Sequence, residues 1–175
     1  MFLLSELDAS PILRYNVVWN SPSKNASGTM AIGNGDVGTN VYAVENGSLY
    51  LLLSKNDAYT YCGDIFKTGR IKITFFPNPF TTDRRFVLEL DLETASVNIS
   101  SEDLKIRIWV DANNLVYHVS ADSKMEYKVS VGSNLWECFD HCEYNTFVNW
   151  SEKAHPMEYI PVTQDSIVPC DDGMM

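Results

Sequence analysis

The sequence predicts an all-β chain, folded as an antiparallel β-sandwich with an irregular C-terminal tail. Three observations carry that prediction. Apolar and polar residues alternate with a period of two from about Thr29 to Ser133. The alternating runs are short and are separated by turns rich in Asn, Gly and Asp. No stretch shows a helical period of apolar residues. Strands with one wet and one dry face belong to antiparallel sheets, and about ten of them at short spacing favour a sandwich over a βαβ fold.

The elements follow in order. Residues 1–14 read as an N-terminal extension and 15–134 as the sandwich. Gly33-Asn34-Gly35-Asp36-Val37-Gly38 satisfies the dinucleotide pattern G-x-G-x-x-G, but that reading requires a helix after the glycines. Thr39–Val44 instead alternates like a strand, so a tight strand-to-strand turn is expected, with Asn34 and Asp36 at its tip. Val41–Val44 and Leu49–Leu53 flank Asn46-Gly47, the signal of a two-residue type I′ hairpin that sets Val44 opposite Leu49. The same hairpin is expected to bring Asn40 opposite Lys55, Gly38 opposite Asp57 and Asp36 opposite Tyr59.

Further along, Ile71, Ile73 and Phe75 point one way in Arg70–Phe76, and Phe86, Leu88, Leu90 and Leu92 do so in Phe86–Leu92. Leu104–Asp111 sets Leu104, Ile106, Ile108 and Val110 against Lys105, Arg107, Trp109 and Asp111. Asp111–Asn114 turns the chain into Leu115–Ala121, and Glu126–Ser133 repeats the pattern. Beyond it, 135–175 is aromatic, irregular and broken by Pro156, Pro161 and Pro169: a tail, or the start of a linker.

Bulk properties narrow the function classes. At 175 residues the chain can bury one core of its own. The net charge is −10, and 121–175 alone holds ten acids and three bases. Nucleic acid, which is bound through clustered Lys and Arg, is not an expected partner. No apolar run nears the ~20 residues that span a bilayer, so no membrane partner is expected. The start has no basic region ahead of its apolar residues and does not read as a signal peptide; localisation stays open.

The chemistry-bearing motifs are sparse. Cys138-Phe139-Asp140-His141-Cys142 offers three soft-metal ligands, Cys138, His141 and Cys142, in five residues. A structural zinc site takes four, and no second pair is recognisable, so ordinary thiols or a disulfide are expected, with no metal and no cofactor. Glycosidases need two carboxyls about 5–9.5 Å apart, and the acids here read as solvated turns and strand faces. No Gly-x-Ser-x-Gly occurs. Trp109 falls on the polar face of its strand and Trp19 near a loop; either offers a flat apolar face to a sugar or a protein, against the plainer reading of partial burial.

Several stretches together resemble known families. Met30-Ala31-Ile32-Gly33-Asn34-Gly35-Asp36-Val37-Gly38-Thr39-Asn40-Val41-Tyr42 is similar to a segment of family 95 glycoside hydrolases, the α-L-fucosidase family. Ser54-Lys55-Asn56-Asp57-Ala58-Tyr59, Lys67-Thr68-Gly69-Arg70-Ile71-Lys72-Ile73 and Pro77-Asn78-Pro79-Phe80 are closer to the related DUF5703 family, and Leu90–Ala95 resembles both. The match covers roughly 15–133. It implies an N-terminal β-super-sandwich whose parent is secreted or periplasmic and carries its catalytic carboxylates in a later (α/α)₆ barrel. Twelve helices of ~11 residues exceed the 42 residues that follow Ser133, so the barrel is expected outside this sequence. Lys55 and Asn56 stand where the fucosidases have an acidic pair, so fucose specificity does not transfer.

The expected function is a non-catalytic sandwich domain that packs on that barrel and lines its carbohydrate cleft; the alternative is a free-standing carbohydrate-binding module. Asn34, Asp36, Asn56 and Asp57 are expected to form one polar patch at the hairpin end opposite Asn46-Gly47, facing the barrel or its carbohydrate; local turn capping by the same side chains is the competing reading.

Overall fold

The computed structural model describes residues 10–59, 68–134, 169–170 and 173–174. The chain divides into two compact units, Met1–Ser133 and Asn134–Met175. In the second, Pro169–Cys170 pairs antiparallel with Gly173–Met174. The Cys138, His141 and Cys142 motif lies outside the described residues, as does most of the expected irregular tail.

The first unit is an antiparallel β-sandwich. Its strands are β1 (Val17–Trp19), β2 (Met30–Gly33), β3 (Val37–Val44), β4 (Ser48–Lys55), β5 (Gly69–Phe76), β6 (Phe86–Asp91), β7 (Ser96–Ser101), β8 (Leu104–Val110), β9 (Tyr117–Ser123) and β10 (Lys128–Asn134). One sheet has the order β1-β6-β7-β8-β9 and the other β10-β5-β4-β3-β2. The helical residues among those described form two short 3₁₀ turns, Pro11–Tyr15 and Ala26–Gly28. None is long and apolar enough to cross a membrane.

Alternation builds the core. Val41, Ala43, Leu49, Leu51, Ile73 and Phe75 of one sheet meet Leu88, Val97, Ile99, Leu104, Ile106 and Ile108 of the other in a single apolar cluster. Phe80, in the connection that crosses between the sheets, is fully buried edge-on to Phe75 and Phe86, at 5.9 and 5.7 Å between ring centres. Aromatic edge contacts of this kind add to the apolar burial.

The β3–β4 turn corrects the expected register. Val44 pairs with Ser48, not Leu49, so the loop has three residues, Glu45-Asn46-Gly47. A type I′ turn needs positive φ at two positions, and here Gly47 alone has it, at +83°. The Gly47 amide donates to the Val44 carbonyl, giving a turn closed by one left-handed residue. Asn40 consequently faces Leu52, and Lys55 faces Val37. Pairing Asn40 with Lys55 did not follow even from a two-residue turn, which would set Lys55 against Gly38. The β8–β9 connection is also longer than expected: Asp111 donates its amide to the Val116 carbonyl at 2.9 Å, and Leu115 and Val116 belong to the loop rather than to the strand.

Candidate functional site

Three connections converge at the sandwich end opposite Gly47. The first is the β2–β3 turn. β3 follows its glycines directly, so no helix N-terminus is present to cradle a phosphate. Asn34 Oδ1 accepts from the amides of Asp36 (3.0 Å) and Val37 (2.9 Å), while Gly35 takes φ +95°. The Asn34 amide nitrogen donates to the carbonyls of Asp111 (2.8 Å) and Asn114 (3.3 Å), 77 and 80 residues away. One side chain therefore caps its own turn and ties one sheet to the other.

The second connection is the end of β4. The Asn56 amide donates to the Asp36 carbonyl at 2.7 Å, extending the β3–β4 ladder past its last pair. Lys55 Nζ lies 3.3 Å from Asp36 Oδ1 and also bonds the Asp57 carboxylate. Asp57 holds the ammonium above its ordinary lysine range, and Lys55 in turn holds the Asp57 carboxyl below the usual carboxylate range.

The third is the β8–β9 loop. Asp111 Oδ1 accepts from the amides of Asn113 and Asn114 and from the Asn114 side chain, and these donors lower its pKa, the backbone of Asn113 most. His118 Nε2 lies 3.6 Å from Asp111 Oδ2, and its ring stacks on Trp109 at 4.7 Å between centres and 10° between planes. The Arg107 guanidinium sits 5.3 Å from the same indole. The Tyr117 hydroxyl lies 3.2 Å from the carbonyls of both Gly38 and Ser54, which share its one proton. Burial raises its pKa, and the charge of Asp36 raises it further.

Asn34, Asp36, Asn56 and Asp57 thus come to one end, although Asn34 spends its amide on the neighbouring loop. Trp109 joins them through His118 and Asp111. Trp19 does not: it ends β1 beside Ser23, which bridges Val44 at the far end of β3, ~24 Å along that strand. Asp111, Asn114, Tyr117 and His118 were not expected there. The facing of His118 to Trp109 follows from the hairpin register, but reading it required the six-residue loop.

Several apolar residues of the β8–β9 loop, β9, the β9–β10 connection and β10 are exposed: Leu115, Val116, Val119, Met125, Val129 and Val131. Val119 pairs with Ile108, a fully buried core residue, so it lies on the interior side of its sheet, yet it is 38% exposed. Val131 reaches 68%. The first unit thus carries a mutually hydrogen-bonded polar end and exposed apolar residues on β9 and β10.

The family model described as a domain of unknown function, DUF5703, in its N-terminal part, matches residues 18–175. No curated protein and no solved structure matches the chain.

Proposed function

The chain belongs to the DUF5703 N-terminal domain family, and from that premise we propose that it is a non-catalytic sandwich domain that packs against a helical barrel in a glycoside-hydrolase-like protein. The observation that carries this reading is the set of exposed apolar residues between Leu115 and Val131, which begins in the loop tied to the braced polar end. An apolar surface of this kind on a folded domain marks a partner-binding face. The neighbouring Asp36–Lys55–Asp57 triad supplies the polar rim, held in shape before any partner arrives. Glycosidase kinship draws on the motif resemblance of 30–42 and of Leu90–Ala95. In this reading the polar end borders the carbohydrate cleft, and the reacting groups come from the barrel.

The test uses the intact chain titrated with a helical barrel of the kind this proposal pairs it with. We expect a one-to-one complex that is weakened at least about tenfold by the double change Val129→Ser and Val131→Ser, because truncating central apolar contacts costs over ~1 kcal/mol each at a hot spot. Absence of a complex, or affinity untouched by the double change, overturns the proposal.

A further inference from the structure

A second surface lies at the end of the sandwich where Ser23 bridges Val44, away from Asn34 and Asp36. The connection from β1 to β2 folds around a shallow open depression of about 330 Å³, with Trp19 on one side and the loop 21–28 on the other. The loop is fixed internally. The Ser23 amide donates to the Ala43 carbonyl at 2.8 Å, and the Ser23 hydroxyl donates to the Gly28 carbonyl at 2.8 Å. A Cβ on Gly28 would come within 2.6 Å of that hydroxyl, so the close approach depends on glycine. Asn25 Oδ1 accepts from the Ser27 amide at 3.0 Å and from its hydroxyl. The shape of the depression therefore exists before any ligand enters.

Its chemistry is one-sided. Trp19 packs against the core and is only partly covered, Pro22 is buried, and together they form an apolar wall and floor. The exposed lining groups are the Lys24 ammonium, the Asn25 amide NH₂, whose oxygen is already engaged, and the hydroxyls of Ser21 and Ser27, which can donate or accept; Lys24 is the one charge among them. Among the described residues no acid lines the depression, in a chain of net charge −10. A ligand matched to this set carries a negative charge and acceptor oxygens on one edge and a flat C–H face on the other. The volume lies at the small end of ligand sites.

We infer that this depression is a subsite for one carboxylate-bearing sugar unit, a hexuronate, with the ring against Trp19 and the carboxylate toward Lys24 and Asn25. The carboxylate is read from the lining; the choice of a sugar rests on the proposed carbohydrate function. No covalent step is involved.

The experiment is a chemical-shift titration of the ¹⁵N-labelled intact chain with glucuronate, glucose and acetate in parallel. Saturable millimolar binding of glucuronate, with shifts confined to 19–28, is expected. Glucose and acetate should each bind at least about fivefold more weakly, the scale of one exposed charge contact or one ring face. Lys24→Met, at an exposed loop position, should bring glucuronate down to the level of glucose, and Trp19→Phe should weaken both sugars. No saturation with glucuronate, or binding unchanged in Lys24→Met, overturns the subsite. Acetate binding as tightly as glucuronate overturns its assignment to a sugar. Neither result bears on the barrel titration, which reads Val129 and Val131 of β10.

Discussion

Strands β7 and β8 and strands β9 and β10 are built from the same kind of sequence and end in different surroundings. Val97, Ile99, Ile106 and Ile108 alternate with polar residues and are at most 2% exposed. Val119 and Val131 alternate in the same way and stand in solvent. Period-two patterning dictates which side of the sheet a residue takes, because successive Cβ atoms point to opposite faces. Whether that side is covered depends on what packs there, which is a tertiary property. Among the described residues, the apolar side chains of β9 and β10 are not covered as those of β7 and β8 are.

The comparison can be broken most directly with one residue type placed in both regions. Val97→Ala empties a site of zero exposure and should cost about 2 kcal/mol: ~0.8 for each buried carbon lost, plus a residual cavity. Val131→Ala should stay within about 0.5 kcal/mol, as surface changes do. Urea unfolding of both variants measures the gap; equal losses would mean that Val131 is as covered as the core.

A somewhat smaller effect sharpens the link between the two regions. Asn34 both caps the β2–β3 turn and anchors the Asp111–Val116 loop that leads into β9. Asn34→Ala should destabilise the domain by about 1–2 kcal/mol, the range for a lost side-chain cap. Because the tether crosses between sheets, amide exchange should quicken in 111–118 as well as in 34–37. Acceleration limited to the turn itself would show that the tether contributes nothing.

Much of this architecture was legible in the sequence, for identifiable reasons. The inward sets of Arg70–Phe76, Phe86–Leu92 and Leu104–Asp111 were readable because each face is set by local chain geometry alone. The β3–β4 register was not, since Asn46-Gly47 fits both a two-residue turn and a three-residue turn ending in a left-handed glycine, and flanking composition does not separate them. Asp36 and Asp57 could be brought to one end because a short hairpin joins their strands. Asp111 and Tyr117 meet that end only through sheet-to-sheet packing, across contacts spanning more than 60 residues, for which alternation has no signal, and His118 comes with them. The opposite end shows the same boundary: Trp19 announced itself as an aromatic near a loop, but the hollow beside it depends on Ser23 reaching Ala43.

The smallest expected effect separates two causes of lowered carboxyl pKa within the polar end. Asp57 is lowered first by its bond to Lys55, and Asp111 first by the backbone amide of Asn113. Both folded values lie below the unfolded ones. Each group's contribution is therefore complete above the ordinary carboxylate range and is lost as pH falls through the folded value. Lys55 has the opposite sign: its folded value is raised, so its contribution is complete below the ordinary lysine range and is lost as pH rises through the folded value. The pair should thus add a small, flat increment around neutral pH that fades at both extremes, and salt should reduce it because the groups are exposed. Lys55→Met should return Asp57 toward its ordinary value while leaving Asp111 lowered, since backbone donors do not depend on the ammonium. Carboxyl titration by NMR in the wild-type chain and in Lys55→Met resolves the two. An Asp57 that stays lowered without Lys55 would assign its shift to local backbone donors, and the Asp36–Lys55–Asp57 triad would no longer count as the brace of the polar rim.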